Sequence, residues 1–511
     1  MRRPSASDSL AAACWSLALG ALLLIFHAGH PLQAHLVHSD ALYLPVLFDD
    51  LLLRGGSMAD WFLTPAPYFF PDMLLYWMAW THDADVFRQT LAHAVLQSVL
   101  VMPMLYLVAR RTLAAGAWLA AAALSILFIW LGINAGDPFV RLFSSAHHYG
   151  AFFASLLLIA CWLGLDARPR KVRAMAARAA IVGVTFLSTL SDTLFLVQIV
   201  IPLAAATLLC RHVTGTPGPR HVLLLLAAGV AAMASYRLFV THPTRYSTRL
   251  SLASLPANAE EMGRIGAALA GQHPLLAAAL LLSLALGAAG AVACLCKRSL
   301  PRLSHTVQLL SVFAFLSCAV TVGAMLLAKN ILPVPRYLIG ALAWPLVAGL
   351  LALACLLGDR FRYAGSGLCL VFSGLLAAQA WHVRATRDAE RHYYPEQIAC
   401  IDRVLATSGA RHGIAQYWDA KRLQALSRHR LTLAQYTDRL QPMKWITSTR
   451  FYRDGYDFAI IADAEAAQWR LPRAQLVAAN GEPLQSVTCG DRTVLIYEAG
   501  RLRLPSAAPS R

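Results

Sequence analysis

Charge is scarce in this chain. Asp, Glu, Lys and Arg make up 14% of its residues while 58% are hydrophobic, against roughly 25% charged in an ordinary soluble domain. That shortage, with apolar runs too long and numerous for one core, excludes a soluble globular protein. Other absences narrow the reading further. No GxGxxG or P-loop offers a nucleotide site, no CxxC or HExxH offers a metal signature, and no repeat of 20 to 50 residues marks a solenoid. Cysteine outside the apolar runs is limited to Cys400 and Cys489 among ten in all. In a domain outside the cytoplasm such a pair forms either a disulfide or two buried thiols.

What charge there is has one prevailing sign: 44 basic against 27 acidic residues, a formal +17. The basic residues fall between apolar runs, as membrane topology requires. No basic stripe interleaved with aromatics is present, so no nucleic acid is expected as a partner; contact with anionic lipid is.

Apolar windows near the roughly 20 residues that cross a bilayer run over 10–28, 89–109, 113–133, 149–165, 221–240, 273–296, 305–328, 337–357 and 363–382. The first, after Arg2 and Arg3, lacks a small-x-small exit and reads as an uncleaved span. The stretch 179–210 is longer and interrupted by Ser188, Thr189, Ser191, Asp192 and Thr193. Two short crossings meeting at Ser191-Asp192 give about 11 spans. They also put Arg110/Arg111, the cluster from Arg168, Arg211, Lys297/Arg298 and Arg360/Arg362 on one side, the cytoplasm. Such a break is tolerated only where it is buried or faces a wet cavity, so it should face the site.

The expectation is therefore a polytopic α-helical membrane protein: residues 1–384 spanning, with a periplasmic loop at 29–88, and 385–511 a small periplasmic α/β domain. The chain would lie in a bacterial inner membrane. In the tail PEQIACIDRVLATSG reads as a helix ended by Gly409, and GIAQYW, LTLAQY, DFAII and TVLIYE read as strands.

The most unusual stretch follows the first span. Between residues 38 and 80, Asp40, Asp49, Asp50, Asp60 and Asp72 alternate with Trp61, Tyr68, Phe69, Phe70, Tyr76, Trp77 and Trp80, a mixture suited to the membrane–water boundary. Asp40, then Asp60-Trp61, then Pro71 with Leu75-Tyr76-Trp77 resembles the first periplasmic loop of polyprenyl-phosphate-dependent GT-C-type glycosyltransferases. Protein O-mannosyltransferases and lipid A aminoarabinose transferases belong to that group. The resemblance implies transfer of a sugar from a polyprenyl-phosphate donor to a periplasmic lipid, glycan or protein, with inversion. Pro71-Asp72 stands where such families often place a basic residue before LYW, so the donor phosphate needs another cation.

Transfer from a lipid phosphate needs a carboxylate to take the acceptor's proton, and phosphate leaves without protonation. Asp40 is assigned that role; its alternative is a helix N-cap shared with Ser39. At about 100° per residue, Asp49 lies about 180° round from Asp40 and Asp50 about 80° off, so neither joins it in one ligand cluster, and Asp50 with Arg54 has the spacing of a surface pair. Asp72 either caps the LYW helix or joins the site, and Tyr76 is carried over from the resemblance as a substrate contact. In the second loop Arg141, His147 and His148 offer phosphate or ion contacts, or else lie at the interface. Asp192, ionisable among spans, is a functional candidate. Lys329 and Arg336 supply the outer-face cations, Arg336 for a two-pronged phosphate contact, with Arg237, Arg245 and Arg249 behind them. A divalent cation such as Mg or Mn is allowed and not required. The rival reading is a non-catalytic transporter or envelope-assembly protein; the lack of repeated halves weighs against it.

Overall fold

The computed structural model describes every residue except 1–4, 29–31, 166–170, 215–217, 245–248, 330–331, 388–392, 464 and 505–511. The cluster from Arg168 and the backup cation Arg245 lie partly or wholly outside the described residues. The chain is a polytopic helical membrane protein with a small sheet domain at its end. Eight segments are long and apolar enough to cross a membrane, and the last, Pro335–Thr386, holds two helices joined at Gly358. With the shorter apolar helices Tyr149–Leu163 and Leu196–Leu209, the described residues hold eleven apolar helices, beside the about 11 spans expected.

The outer helices carry large apolar side chains on their outward faces, among them Leu223, Leu281 and Leu370, as a surface bathed in hydrocarbon requires. Inside, small residues let helices approach closely. A Cβ on Gly287 would lie 2.4 Å from the Ser311 carbonyl oxygen of the next helix, so nothing larger than glycine fits. Some polar side chains between helices pair with one another: Trp344 Nε1 donates to Ser155 Oγ at 2.9 Å, and Trp162 Nε1 to Thr207 Oγ1 at 3.2 Å.

Helix Lys171–Ser191 ends at Asp192, and the next helical run begins two residues later. Ser191 is the anchor for the first loop. Its carbonyl accepts from Tyr68 N at 3.1 Å and its hydroxyl from Phe70 N at 2.9 Å. The interruption between spans therefore holds the aromatic turn of the loop, and its freed polar groups are satisfied there rather than in lipid.

The loops on this side are sewn together. Trp61–Leu63 pairs in parallel with His242–Pro243 and antiparallel with Thr447–Ser448 of the tail, and Arg249–Leu250 pairs with Ala328–Lys329. Tyr43, Trp61, Phe451 and Tyr456, all buried, form one aromatic core across loop and tail; burying each contributes about 1.5–3 kcal/mol. Tail and loop are thus one packed unit.

The tail carries a five-stranded sheet in the order Thr432–Gln435, His412–Ala415, Phe458–Ala462, Arg492–Ile496, Gln485–Cys489. The first three strands are parallel and the last two antiparallel. Helix Glu396–Ser408 ends at Gly409, whose φ of 69° suits glycine at that stop. One expectation is corrected. GIAQYW is not one strand, because Gln416 accepts from Trp418 N at 2.8 Å and caps a helix, Tyr417–Leu426. Local capping outweighs the apolar run.

Asp50–Arg54 as a surface pair is also overturned. Helix Tyr43–Leu53 stops before Arg54, whose guanidinium reaches Asp49 at 2.5 Å and the tail at Thr432. Asp50 turns inward, 1% exposed, and accepts from Trp61 Nε1 at 2.8 Å and Arg450 Nη1 at 3.3 Å.

Cys400 and Cys489 form a disulfide between the first tail helix and the edge strand. The bridge closes a sequence separation of 89 residues, so replacing both cysteines with Ser should cost the tail about 2–5 kcal/mol. A lower unfolding midpoint in the purified full-length variant is the expected result; an unchanged midpoint contradicts a structural role for the bridge.

Candidate active site

Asp40 lies in the turn between His38 and the helix Tyr43–Leu53. That helix starts with Leu42 as its N-cap and no side-chain cap bond, so Asp40 is not spent on capping. Its carboxylate instead meets three distant parts of the chain. Arg336 Nη1 donates to Oδ2 at 3.0 Å. The Tyr417 hydroxyl, from the tail, donates to Oδ1. His147 Nε2, from the second loop, stands 3.8 Å from Oδ2. Burial alone would push Asp40 up. The nearby His147 and the bond from Tyr417 outweigh burial, and the carboxyl is held well below the usual carboxylate range.

A second ring of residues surrounds that contact. Arg141 holds Asp137 through two bonds of 2.6 and 2.9 Å, and its Nη1 lies 2.6 Å from His38 Nε2. Arg141 is a donor only, which makes that ring nitrogen an acceptor. Burial, with His147 and Arg141 nearby, pushes His38 down to about 2. The His38 and His147 rings meet edge to face, centroids 5.0 Å apart. Neutral imidazoles between guanidinium and carboxylate are the consequence.

Next to this cluster is a histidine–carboxylate pair. His148 Nδ1 lies 2.7 Å from Asp192 Oδ2, and Leu194 N donates to Oδ1 at 3.0 Å, so the interruption between spans aims the aspartate. The His148 ring lies between Tyr68 and Tyr337, centroids at 5.7 and 5.1 Å. Tyr337 follows Arg336, which makes the pair a neighbour of the Asp40 contact.

Of the remaining expected residues, Asp72 lies near the His148–Asp192 pair and the others lie elsewhere. Asp72 is 3% exposed and accepts from Ala146 N at 3.3 Å; burial pushes it up to about 7. It braces the first loop against the second, with Gly150 directly beneath. Tyr76 is fully buried, donates to Gln89 Oε1 at 2.6 Å, and packs on Phe48 and His93. Lys329 is exposed on the short strand opposite Arg249. Asp40, His147, Arg141 and Arg336 are thus brought together, His148 and Asp192 adjoin them, and Tyr76 and Lys329 do not meet them.

Three participants had no separate expectation. His38 sits two residues before Asp40, and that spacing was its available signal. Tyr417 is 377 residues from its partner, with nothing local to mark it. Lys421, one helical turn beyond, is 2% exposed; its Nζ lies 4.1 Å from the Tyr417 ring centroid. With the Gln435 amide oxygen turned toward it, Lys421 donates there at 2.9 Å. Burial pushes Lys421 down to about 7.

Among the described residues, His38, Asp40 and His147 offer ligand atoms within 4.8 Å of one another, and His147 Nε2 is buried with no hydrogen-bond partner. Two imidazoles and a carboxylate suit a transition-metal cation such as Zn better than Mg or Mn, which favour oxygen.

No protein-family model matches the sequence, and no curated protein matches it. Among solved structures, ArnT from Cupriavidus metallidurans in the apo state aligns with a TM-score of 0.55 over 98% of this chain and 100% of that one, at 13% identity. The same protein bound to undecaprenyl phosphate aligns at 0.53 over 98% and 99%, also at 13% identity. The two proteins share a fold. ArnT and this chain match from end to end, tail included, so the architecture is that expected from the loop resemblance.

The brace under the site gives a direct test. A Cβ on Gly150 would fall 1.9 Å from Asp72 Oδ2, so Gly150→Ala must displace that carboxylate, at a cost of about 1–3 kcal/mol. Thermal unfolding of the inserted variant should fall by several degrees; an unshifted transition contradicts the contact.

Proposed function

We propose that the protein transfers a sugar from a polyprenyl-phosphate donor to an acceptor at the outer face of a bacterial inner membrane, inverting the anomeric centre. The observation that carries this reading is the contact between Asp40 and Arg336. A carboxylate and a guanidinium 3.0 Å apart, at the mouth of a bundle with the ArnT fold, are the two groups the reaction needs. The carrier class is supported by ArnT, which is known bound to undecaprenyl phosphate.

In this reading the loops and the tail are periplasmic. Arg336 takes the donor phosphate, with Tyr337 and His148 beside it. The acceptor hydroxyl attacks the anomeric carbon from the face opposite the phosphate, and its proton passes to Asp40. The new carbon–oxygen bond forms as the bond to phosphate breaks, and the lipid phosphate leaves with the electron pair. Positive charge near the departing oxygen lowers the barrier. A divalent cation, when bound, would be held by His38, Asp40 and His147 and would add charge for the phosphate. The polar Arg141–Asp137–His38 set fixes the second loop against the first.

The test has two parts. Mass spectrometry of envelope glycans and glycolipids from cells with and without the protein should reveal a missing glycosyl group. Asp40→Asn should then lower its formation by about 10²–10⁴-fold while the protein remains folded and inserted. Full product formation by that variant contradicts the mechanism. Identical envelopes, with or without the protein, contradict the function.

A further inference from the structure

Asp40 is fully engaged as it stands, and a carboxylate paired with a guanidinium is a poor proton acceptor. Its two oxygens have separate partners, however: Arg336 on Oδ2 and Tyr417 on Oδ1. The partners also differ in how firmly they are held. Arg336 sits on a short turn, Pro335–Leu338, with its side chain 34% exposed. Tyr417 opens a helix of the tail, and the tail is fixed to the loop at several points. Ser39 Oγ donates to the Trp418 carbonyl, Arg54 Nη1 to the Leu431 carbonyl at 3.1 Å, and Arg450 Nη2 to the Arg54 carbonyl at 2.9 Å. Behind its ring lies the buried Lys421. One grip is built to stay and the other is able to leave.

We propose that Tyr417, delivered by the tail, is a positioning residue that keeps Asp40 aimed while Arg336 is handed from that carboxylate to the donor phosphate. This rests on the reading of Arg336 as the phosphate contact. Asp40 in the empty protein is then a stand-in anion for the phosphate, and donor binding is the event that frees the base. Tyr417 has a second effect: by occupying Oδ1, it prevents Asp40 from gripping the guanidinium with both oxygens, the stronger two-pronged arrangement. The donor enters first, and the acceptor meets an available Oδ2 only afterwards.

Competition for one guanidinium makes a counter-intuitive prediction. Binding of undecaprenyl phosphate to the purified full-length protein is measured in detergent with chelator present. Asp40→Asn should tighten binding by roughly 3–10-fold, the scale of a partly exposed ion pair and its hydrogen bond. Glu261→Gln, which removes an equal charge that Arg264 rather than Arg336 holds, should change it less than about twofold. Tyr417→Phe keeps the ring on Lys421, frees Oδ1 and should weaken binding by roughly 3–10-fold. In an Asp40→Asn background the same Phe substitution should have no further effect, because a residue acting through Asp40 has nothing left to act on. Asp40→Ser replaces the Asn variant if that one does not insert.

Unchanged or weaker binding in both Asp40 variants overturns the exchange. A Tyr417→Phe effect that persists without the carboxylate overturns the positioning role. Failure of the unmodified protein to bind undecaprenyl phosphate at all overturns the donor reading itself, a result distinct from either.

Discussion

The arrangement depends on one carboxylate shared by three segments. Asp40 comes from the first loop, Arg336 from the entry to a late span, and Tyr417 from the tail, and each contact is meaningless without the packing that delivers it. Burying a charge is costly unless hydrogen bonds compensate. Here a guanidinium and a phenol do so, with neutral histidines filling the gap. Removing Asp40 leaves the partly exposed Arg336 guanidinium seeking an anion, and a phosphate headgroup is one that chemistry readily supplies.

That dependence explains the construction around it. The first loop is tied to the span interruption through Ser191, to the second loop through Asp72 and Ala146, and to the tail through Trp61, Asp50 and the small three-stranded sheet. These ties fix the loop backbone, where a site on loops alone would drift. Arg336, by contrast, is left on a short turn with part of its side chain exposed. Rigidity is concentrated at Asp40 and its brace, and freedom at Arg336.

Much of the architecture was legible in the sequence because hydropathy reports what solvent demands. The crossings, the break at Ser191-Asp192 and the change of composition after the last span all follow from segments that must sit in hydrocarbon or in water. What could not be read was set by long-range contact. Asp50 and Arg54 have ideal helical spacing, yet the helix ends one residue early and the tail draws both away. Tyr76 stands in the segment that carries the family resemblance, yet Gln89 and Phe48 claim it for the core. Tyr417 and Lys421 look like ordinary members of a tail helix, and a partner 377 residues away leaves no periodicity behind. Local rules place elements well; which side chains face each other across a loop, a bundle and a domain is decided by packing.

The central claim is that Arg336 exchanges Asp40 for a lipid phosphate while Tyr417 stays in place. The most direct measurement is a structure of the full-length protein with undecaprenyl phosphate bound. The account predicts phosphate oxygens within about 2.7–2.9 Å of the Arg336 guanidinium, the Asp40–Arg336 contact opened, and Asp40 still bonded to Tyr417. A bound phosphate held elsewhere, with Asp40 and Arg336 still paired, would contradict it.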